Sequence, residues 1–391
     1  MHKKLMAVLF FLFIFLIPVI SLITMPKEKV VFSETENRYL ARFPTFSLEK
    51  VLETEYMKEF EDWANDRVVG RESWIKLKNR TERALGKIEI NGVFITDERM
   101  MQTFSGYDKD RVGKNLNAMN NFAKRHESVP VYFMLAPTSL ELYGDTLPKS
   151  SPIASQKDFM RYCHDELDQI TGIDILTLLE EHRERYIYYR TDHHWTSLGA
   201  YIAYTAAGTA MGFTPLNMDR FNIETASSDF WGTLHSKTLD DSITPDIINI
   251  YTLSEGEPEV VLTVNDGVNI TEHQSLYFRE FLDTKDKYST FLGINAPIIK
   301  ITSDISGIPE GSSSSGKKLL IFKDSYAHSL IPFLAKNYSE ITVVDMRYIN
   351  MGYNAFFTVE DFDQVLFMYN VITFSEDTNL VKLNAGGIGR Y

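Results

Sequence analysis

The chain is short of the features that most directly name a chemistry. It holds one cysteine, Cys163, in 391 residues, which excludes an intrachain disulfide and leaves the compartment open. Neither H-E-x-x-H nor C-x-x-C spacing occurs, so the common zinc patterns are absent. Basic residues are outnumbered, 40 against 53 acidic, for a net charge of −13. Such a surface repels phosphate backbones and excludes nucleic acid as a partner. Internal repeats are lacking. The one low-complexity stretch, Gly311 to Gly316, reads as a flexible loop. With the residues that follow it spells G-S-S-S-S-G-K-K, close to a phosphate-binding loop. It fails as one, because Lys318 stands where the magnesium-binding Ser or Thr belongs, and because the loop precedes a strand.

The N-terminus is informative. His2-Lys3-Lys4 precedes Leu5 to Thr24, an uncharged run dominated by Leu, Phe and Ile. That length suffices to span a ~30 Å hydrocarbon core. The lysines favour the cytoplasmic side, which places the rest of the chain outside. Val19-Ile20-Ser21 would serve as a cleavage site if the segment were a secretory signal. The reading adopted is an anchor over 1–25, single-pass, with an extracellular C-terminal domain that is secreted if the signal is cleaved.

Residues 26–105 read as a linker followed by a helical and hairpin region. Apolar positions Val51, Leu52, Tyr56, Phe60 and Trp63 predict one helix over Ser47 to Arg67, with Ser47 as N-cap. Asn91-Gly92 between short apolar stretches predicts a hairpin. From about 106 to 391 helix and strand patterns alternate. Helices are expected through Val112 to Ala123 and over Ser197 to Met211. Strands are expected at Val131–Leu135, Ile173–Leu178, Tyr186–Tyr189, Leu319–Phe322, Ile341–Val344 and Leu366–Phe374. Near-continuous apolar strands between helices predict an α/β fold with a mostly parallel sheet. Residues 218–300 break the rhythm and read as a β-rich insertion.

Two strand ends carry chemistry. Thr191-Asp192-His193-His194-Trp195 follows Tyr186–Tyr189, and Lys323-Asp324-Ser325-Tyr326 follows Leu319–Phe322. Ser is a poor nucleophile until a base takes its proton, His suits that task, and a carboxylate fixes the His tautomer. In extended chain Asp192 and His194 project to one side, so Asp192 can orient His194 toward a serine from another strand. His193 then points elsewhere unless the loop curls. Each site also has a plain reading, as a helix start capped by Thr196 or Ser197, or by Asp324 or Ser325. A metal held by Asp192, His193, His194 and His182 or His328 is the competing chemistry. Trp195, Tyr326 and Tyr188 are candidate sugar-stacking groups.

At these residues the chain resembles the DHHW proteins of Gram-positive bacteria, named for the tetrapeptide that Asp192-His193-His194-Trp195 matches. The resemblance extends to Ser33-Glu34-Thr35-Glu36-Asn37-Arg38, Trp231-Gly232-Thr233-Leu234, Ser236-Lys237 and Lys323-Asp324-Ser325-Tyr326-Ala327. DHHW proteins look like distant relatives of the alginate O-acetyltransferase proteins in the SGNH hydrolase-like superfamily. The resemblance implies an SGNH-like α/β/α sandwich, and acetyl transfer to an extracellular polysaccharide. The acetyl donor would be delivered by a multi-pass membrane acyltransferase. It also implies that Asp192, His194 and Ser325 are catalytic, with no cofactor and no metal. Arg347 resembles a position that contacts substrate in the relatives, with a salt bridge to Asp345 as the alternative. The chain departs from the superfamily in having Lys323-Asp324-Ser325 where Gly-Asp-Ser is usual. The Ser325 N–H is the expected oxyanion donor, with Thr138 or Ser139 a candidate for the second. Further alternatives are an acetylesterase using the same triad and a non-catalytic glycan-binding or scaffold protein.

Overall fold

The computed structural model describes residues 2–25, 30–33, 35–36, 38–308 and 316–387. The serine-rich stretch 311–315, much of the expected linker at 26–29, and Glu34 and Asn37 lie outside the described residues.

The site is framed by five parallel strands. In spatial order these are Glu340–Val344, Lys318–Lys323, Gln364–Asn370, Val131–Ala136 and Ile170–Ile173. All seven residues of Gln364–Asn370 are buried, so both faces of the sheet are covered. Three antiparallel strands extend the sheet beyond Glu340–Val344: Ile298–Asp304, Glu259–Asn265 and Ile270–His273. Two of these and the start of the third come from the segment read as a β-rich insertion. They continue the main sheet, while Phe221–Phe230 and Asp246–Leu253 pair as a hairpin of their own. The fold class is the predicted one: α/β, with a large, mostly parallel sheet and an apolar N-terminal helix, His2–Thr24.

Helix boundaries follow local chemistry. Lys109–Arg125 starts where the Asp108 carboxylate accepts the N–H groups of Asp110 and Arg111, and it buries Val112, Leu116, Met119 and Phe122. Ser197–Met211 is capped by Thr196, whose hydroxyl accepts the Gly199 N–H, and stops at Gly212 with φ +73°. The Asn91-Gly92 hairpin forms between Glu89–Ile90 and Val93–Ile95, with φ of 52° and 75° at the two turn residues.

Five expectations are corrected. The helix predicted over Ser47 to Arg67 is two, Leu48–Leu52 and Glu55–Asp66, broken where Thr54 adopts φ +63°. Ser47 makes no side-chain capping bond. The strand expected at Ile173–Leu178 ends at Ile173, and a helix begins at Leu176. Leu366–Phe374 likewise divides at Asn370, whose side chain caps the helix Val371–Glu376 by accepting two N–H groups. Tyr186–Tyr189 is no strand: Tyr188 and Trp195 form a lone β-bridge that closes a tight loop.

Candidate active site

The parallel strands deliver their carboxyl ends to one edge of the sheet, the usual place for a site in this architecture. Lys318–Lys323 runs into Asp324-Ser325-Tyr326, then the helix Ala327–Leu334. The turn is held by Asp324, fully buried, which accepts the N–H of Tyr326 at 2.9 Å and both the N–H and Nδ2 of Asn370 at 2.7 and 2.6 Å. Ser325 stands half-buried at its apex.

The loop from Tyr188 to Trp195 brings a carboxylate and an imidazole to that serine. Asp192 Oδ1 accepts the His194 N–H at 2.9 Å and bonds His194 Nδ1 at 2.6 Å. His194 Nε2 lies 2.7 Å from Ser325 Oγ. With the proton on Nδ1, Nε2 is free to accept from the serine. The loop curls rather than extends, because Asp192 bonds the backbone two residues on. His193 is therefore not turned away: its ring centroid lies 3.8 Å from that of His194.

Residues distant in sequence shape the loop. The buried Asp246 carboxylate accepts the N–H groups of Arg190 and Thr191 at 2.7 and 2.8 Å, along with the Thr191 hydroxyl. Thr233 donates its N–H and hydroxyl to Asp192 Oδ2 at 2.8 and 3.0 Å, and its hydroxyl oxygen meets His193 Nδ1 at 2.6 Å. Gly232 lies so close that a Cβ there would fall 2.2 Å from Asp192 Cβ. Burial by itself would raise the Asp192 carboxyl. The neighbouring imidazoles and the donors around it prevail and hold it well below its ordinary range. Burial, with the His194 ring beside it, pushes His193 down to about 3.

Sequence reasoning missed Tyr288. Its ring stacks on His194 at 3.7 Å and 7°, and its hydroxyl donates to Ser325 O at 3.1 Å. It sits in the short turn Lys287–Thr290, where no periodicity marks it. Thr233 and Gly232 carried a visible signal, the Trp231-Gly232-Thr233-Leu234 motif, but no chemistry could be attached to it without Asp192 opposite.

Three aromatic expectations are corrected. Trp195, Tyr326 and Tyr188 are fully buried, so none is a sugar platform. The Trp195 indole donates to Tyr326 O and meets Ser329 Oγ, at 3.0 and 2.9 Å. Tyr188 donates to Pro137 O at 2.6 Å, and Tyr326 to His193 O. Thr138 is also corrected as an oxyanion donor: its N–H is committed to Gln156 Oε1 at 2.8 Å. Ser139 is buried at the start of the helix Ser139–Tyr143. Arg347 forks onto Asp345 at 2.8 and 2.6 Å, and the same carboxylate takes the buried Lys323 at 3.2 Å.

Asp192, His193 and His194 bring potential ligand atoms within 4.8 Å of one another, without His182 or His328. Several candidate atoms already bond elsewhere: His194 Nδ1 to Asp192, His194 Nε2 to Ser325, His193 Nδ1 to Thr233, and Asp192 Oδ2 to Thr233. A metal bound through His194 would have to displace a bond that aligns the serine.

A family model described as DHHW protein matches residues 92–344. A search of curated proteins finds no match. A solved DHHW family protein from Eubacterium siraeum is 27% identical, with 76% of this chain and 96% of that one covered and a TM-score of 0.64. Bacillus cereus PatB1 is 17% identical over 74% of this chain and 99% of its own, with a TM-score of 0.62. PatB1 with a sulfonyl adduct gives 16%, 74%, 97% and 0.61. At that identity PatB1 shows a shared fold.

Proposed function

The chain belongs to the DHHW protein family, and from that premise we propose that it is an O-acetyltransferase acting outside the cytoplasm on a cell-surface or secreted polysaccharide. The observation that carries the reading is the unbroken line from Asp192 through His194 to Ser325, with contacts of 2.6 and 2.7 Å.

In the first half-reaction His194 Nε2 takes the Ser325 proton as Oγ attacks the donor's acetyl carbonyl. The resulting imidazolium returns that proton to the leaving group, and an acetyl ester remains on Ser325. In the second half-reaction a sugar hydroxyl gives its proton to His194 and attacks the ester. Ser325 Oγ departs and takes the proton back. Asp192 remains ionised throughout and holds the imidazole in one tautomer and one orientation. His193, neutral at physiological pH and beside the His194 ring, would contact the substrate.

The Lys4–Thr24 span is long and apolar enough to cross a membrane. It would serve as the anchor, with the catalytic part outside and the acetyl donor supplied by a multi-pass acyltransferase partner.

The test incubates the full chain in detergent with an activated acetyl ester and follows ester cleavage and intact mass. A burst with one acetyl added to wild type, absent in Ser325→Ala and indifferent to chelator, supports the reading. Ser325→Ala and His194→Ala should each slow cleavage by roughly 10⁴-fold or more. Transfer to added oligosaccharides marks a transferase, and release to water alone an esterase. Cleavage abolished by chelator, or an adduct that survives Ser325→Ala, sinks the serine mechanism.

A further inference from the structure

On the side of the catalytic loop carrying Tyr186 and Arg190 lies a cleft of about 560 Å³. Its walls include Arg99, Arg183, Arg185, Arg190, Tyr143 and Tyr186. Four guanidiniums in one cleft run against the −13 charge of the chain. Among the described residues only one of them is neutralised by a close carboxylate: Arg183 is held by both oxygens of Asp145, at 3.1 and 3.0 Å. Among the described residues, Arg99, Arg185 and Arg190 form no salt bridge. The acids Asp97, Glu98 and Glu184 also line the cleft, at exposed positions.

The clearest sign of a ligand is Arg99. Its guanidinium lies over the Tyr143 ring at 3.5 Å, and its Nη1 is buried with no hydrogen-bond partner. A buried donor left unpaired costs free energy that an acceptor would recover, and more so when the donor is charged. Burial lowers the Arg99 pKa, and the nearby Arg190 charge adds to the effect. Arg190 in turn lies 4.7 Å over the Tyr186 ring. Two aromatic-backed guanidiniums are thus held in place before anything binds. The scaffold is rigid: Tyr186 and Arg190 both bond Asp246, and Arg190 O accepts the Met100 N–H at 2.7 Å.

We propose that this cleft is a binding site for an oxyanion borne by a glycan, a phosphate or a uronate carboxylate, separate from the acyl-transfer site. Arginine suits both groups through its forked donors. That the anion belongs to a glycan rests on the acetyltransferase reading; that the cleft takes an anion does not. The site would hold a charged repeat unit of the polymer while a hydroxyl elsewhere on it reaches Ser325. Asp246 supports both the cleft wall and the loop that ends in Asp192 and His194.

The experiment is isothermal titration of the full chain in neutral detergent at low salt. Three oligomers of equal length are the probes: a glycerol phosphate oligomer, an oligogalacturonate and a maltooligosaccharide. At least one anionic oligomer should bind with an affinity that falls as salt rises, and the neutral one should not bind. Which anionic oligomer binds distinguishes phosphate from carboxylate. Arg99→Gln and Arg190→Gln should each weaken binding by about ten-fold or more. Arg185→Gln, at an exposed position, carries the test if those variants fail to fold. Ser325→Ala should bind as wild type does, so the result stands whether or not the serine accepts acetyl. Failure of both anionic probes to bind, equal binding of the neutral one, or unchanged affinity in folded arginine variants overturns the proposal.

Discussion

Alanine at position 232 would separate two reasons for a glycine. Gly232 has φ −79° and ψ −169°, which any L-residue can adopt, so no torsional penalty arises. Space is the constraint: a Cβ would fall 2.2 Å from Asp192 Cβ and 2.6 Å from its Cα and Oδ2. Carbon atoms in contact sit about 3.5–4.0 Å apart, so the segments must part by roughly 1 Å or more. Neither can yield alone, because the next residue, Thr233, donates its N–H to Asp192 at 2.8 Å. Overpacking of this kind costs about 1–3 kcal/mol. In a chain of this size, at an unfolding entropy of about 2 cal/mol/K per residue, that lowers the melting midpoint by roughly 1–4 °C. The kinetic effect should be larger in proportion, since a misplacement of about 1 Å in a reacting array can cost on the order of 10²-fold. Acylation by an activated acetyl ester, read as burst rate, is the assay, with a thermal melt on the same preparation. Gly232→Ala at wild-type rate and wild-type midpoint would refute the close approach. A lowered midpoint with an unchanged rate would refute the claim that Gly232 sets the position of Asp192.

Thr233→Val removes the hydroxyl shared by Asp192 and His193 and should slow acylation by about ten-fold or more, whereas Thr233→Ser should stay near wild type; equal rates for the two variants would defeat this. Tyr288→Phe keeps the ring on His194 and should lose little, whereas Tyr288→Leu removes the stack and should lower kcat at unchanged KM. A Leu variant that matches Phe in kcat removes the positioning role. Trp195→Phe deletes the indole donor to Tyr326 O and leaves Ser329 Oγ a partner short, at a cost of about 1–3 kcal/mol by thermal melting. A change in sugar affinity without a change in stability would instead restore Trp195 as a platform. Asp192 is held below its unfolded value, so its ionised form stabilises the fold above about pH 4, and that contribution is lost as pH falls further. The melting gap between wild type and Asp192→Asn should be constant near neutrality and close below about pH 4. A gap that widens toward acid contradicts the sign.

Much of the frame was legible because its signals are local. Thr196 before Ser197–Met211 and Gly212 after it mark that helix within the segment itself. The strands Val131–Ala136 and Lys318–Lys323 are apolar runs long enough to need cover on both faces. The turn after Lys323 was also visible, since Asp324 and Ser325 stand between an apolar run and a helical pattern.

The loop that carries Asp192 was not legible, for a physical reason. Ile187-Tyr188-Tyr189 has the composition of a buried strand, but its side chains are buried by packing and not by pairing in the sheet. The curl of the loop depends on Asp246, Thr233 and Gly232, each about forty residues or more downstream of Thr191 and Asp192. The same distance misled the reading of the aromatics. Whether a Trp or Tyr faces sugar or core depends on what the fold lays over it, and the core takes Trp195, Tyr188 and Tyr326. Tyr288 is the converse case, an unmarked residue that the fold stacks on His194. In sequence, then, the groups that transfer protons can be recognised by their own chemistry. The groups that aim them are ordinary residues whose role exists only once the chain has folded. Mutations at Gly232, Thr233 and Tyr288 should therefore alter rate while every proton-transferring group remains in place.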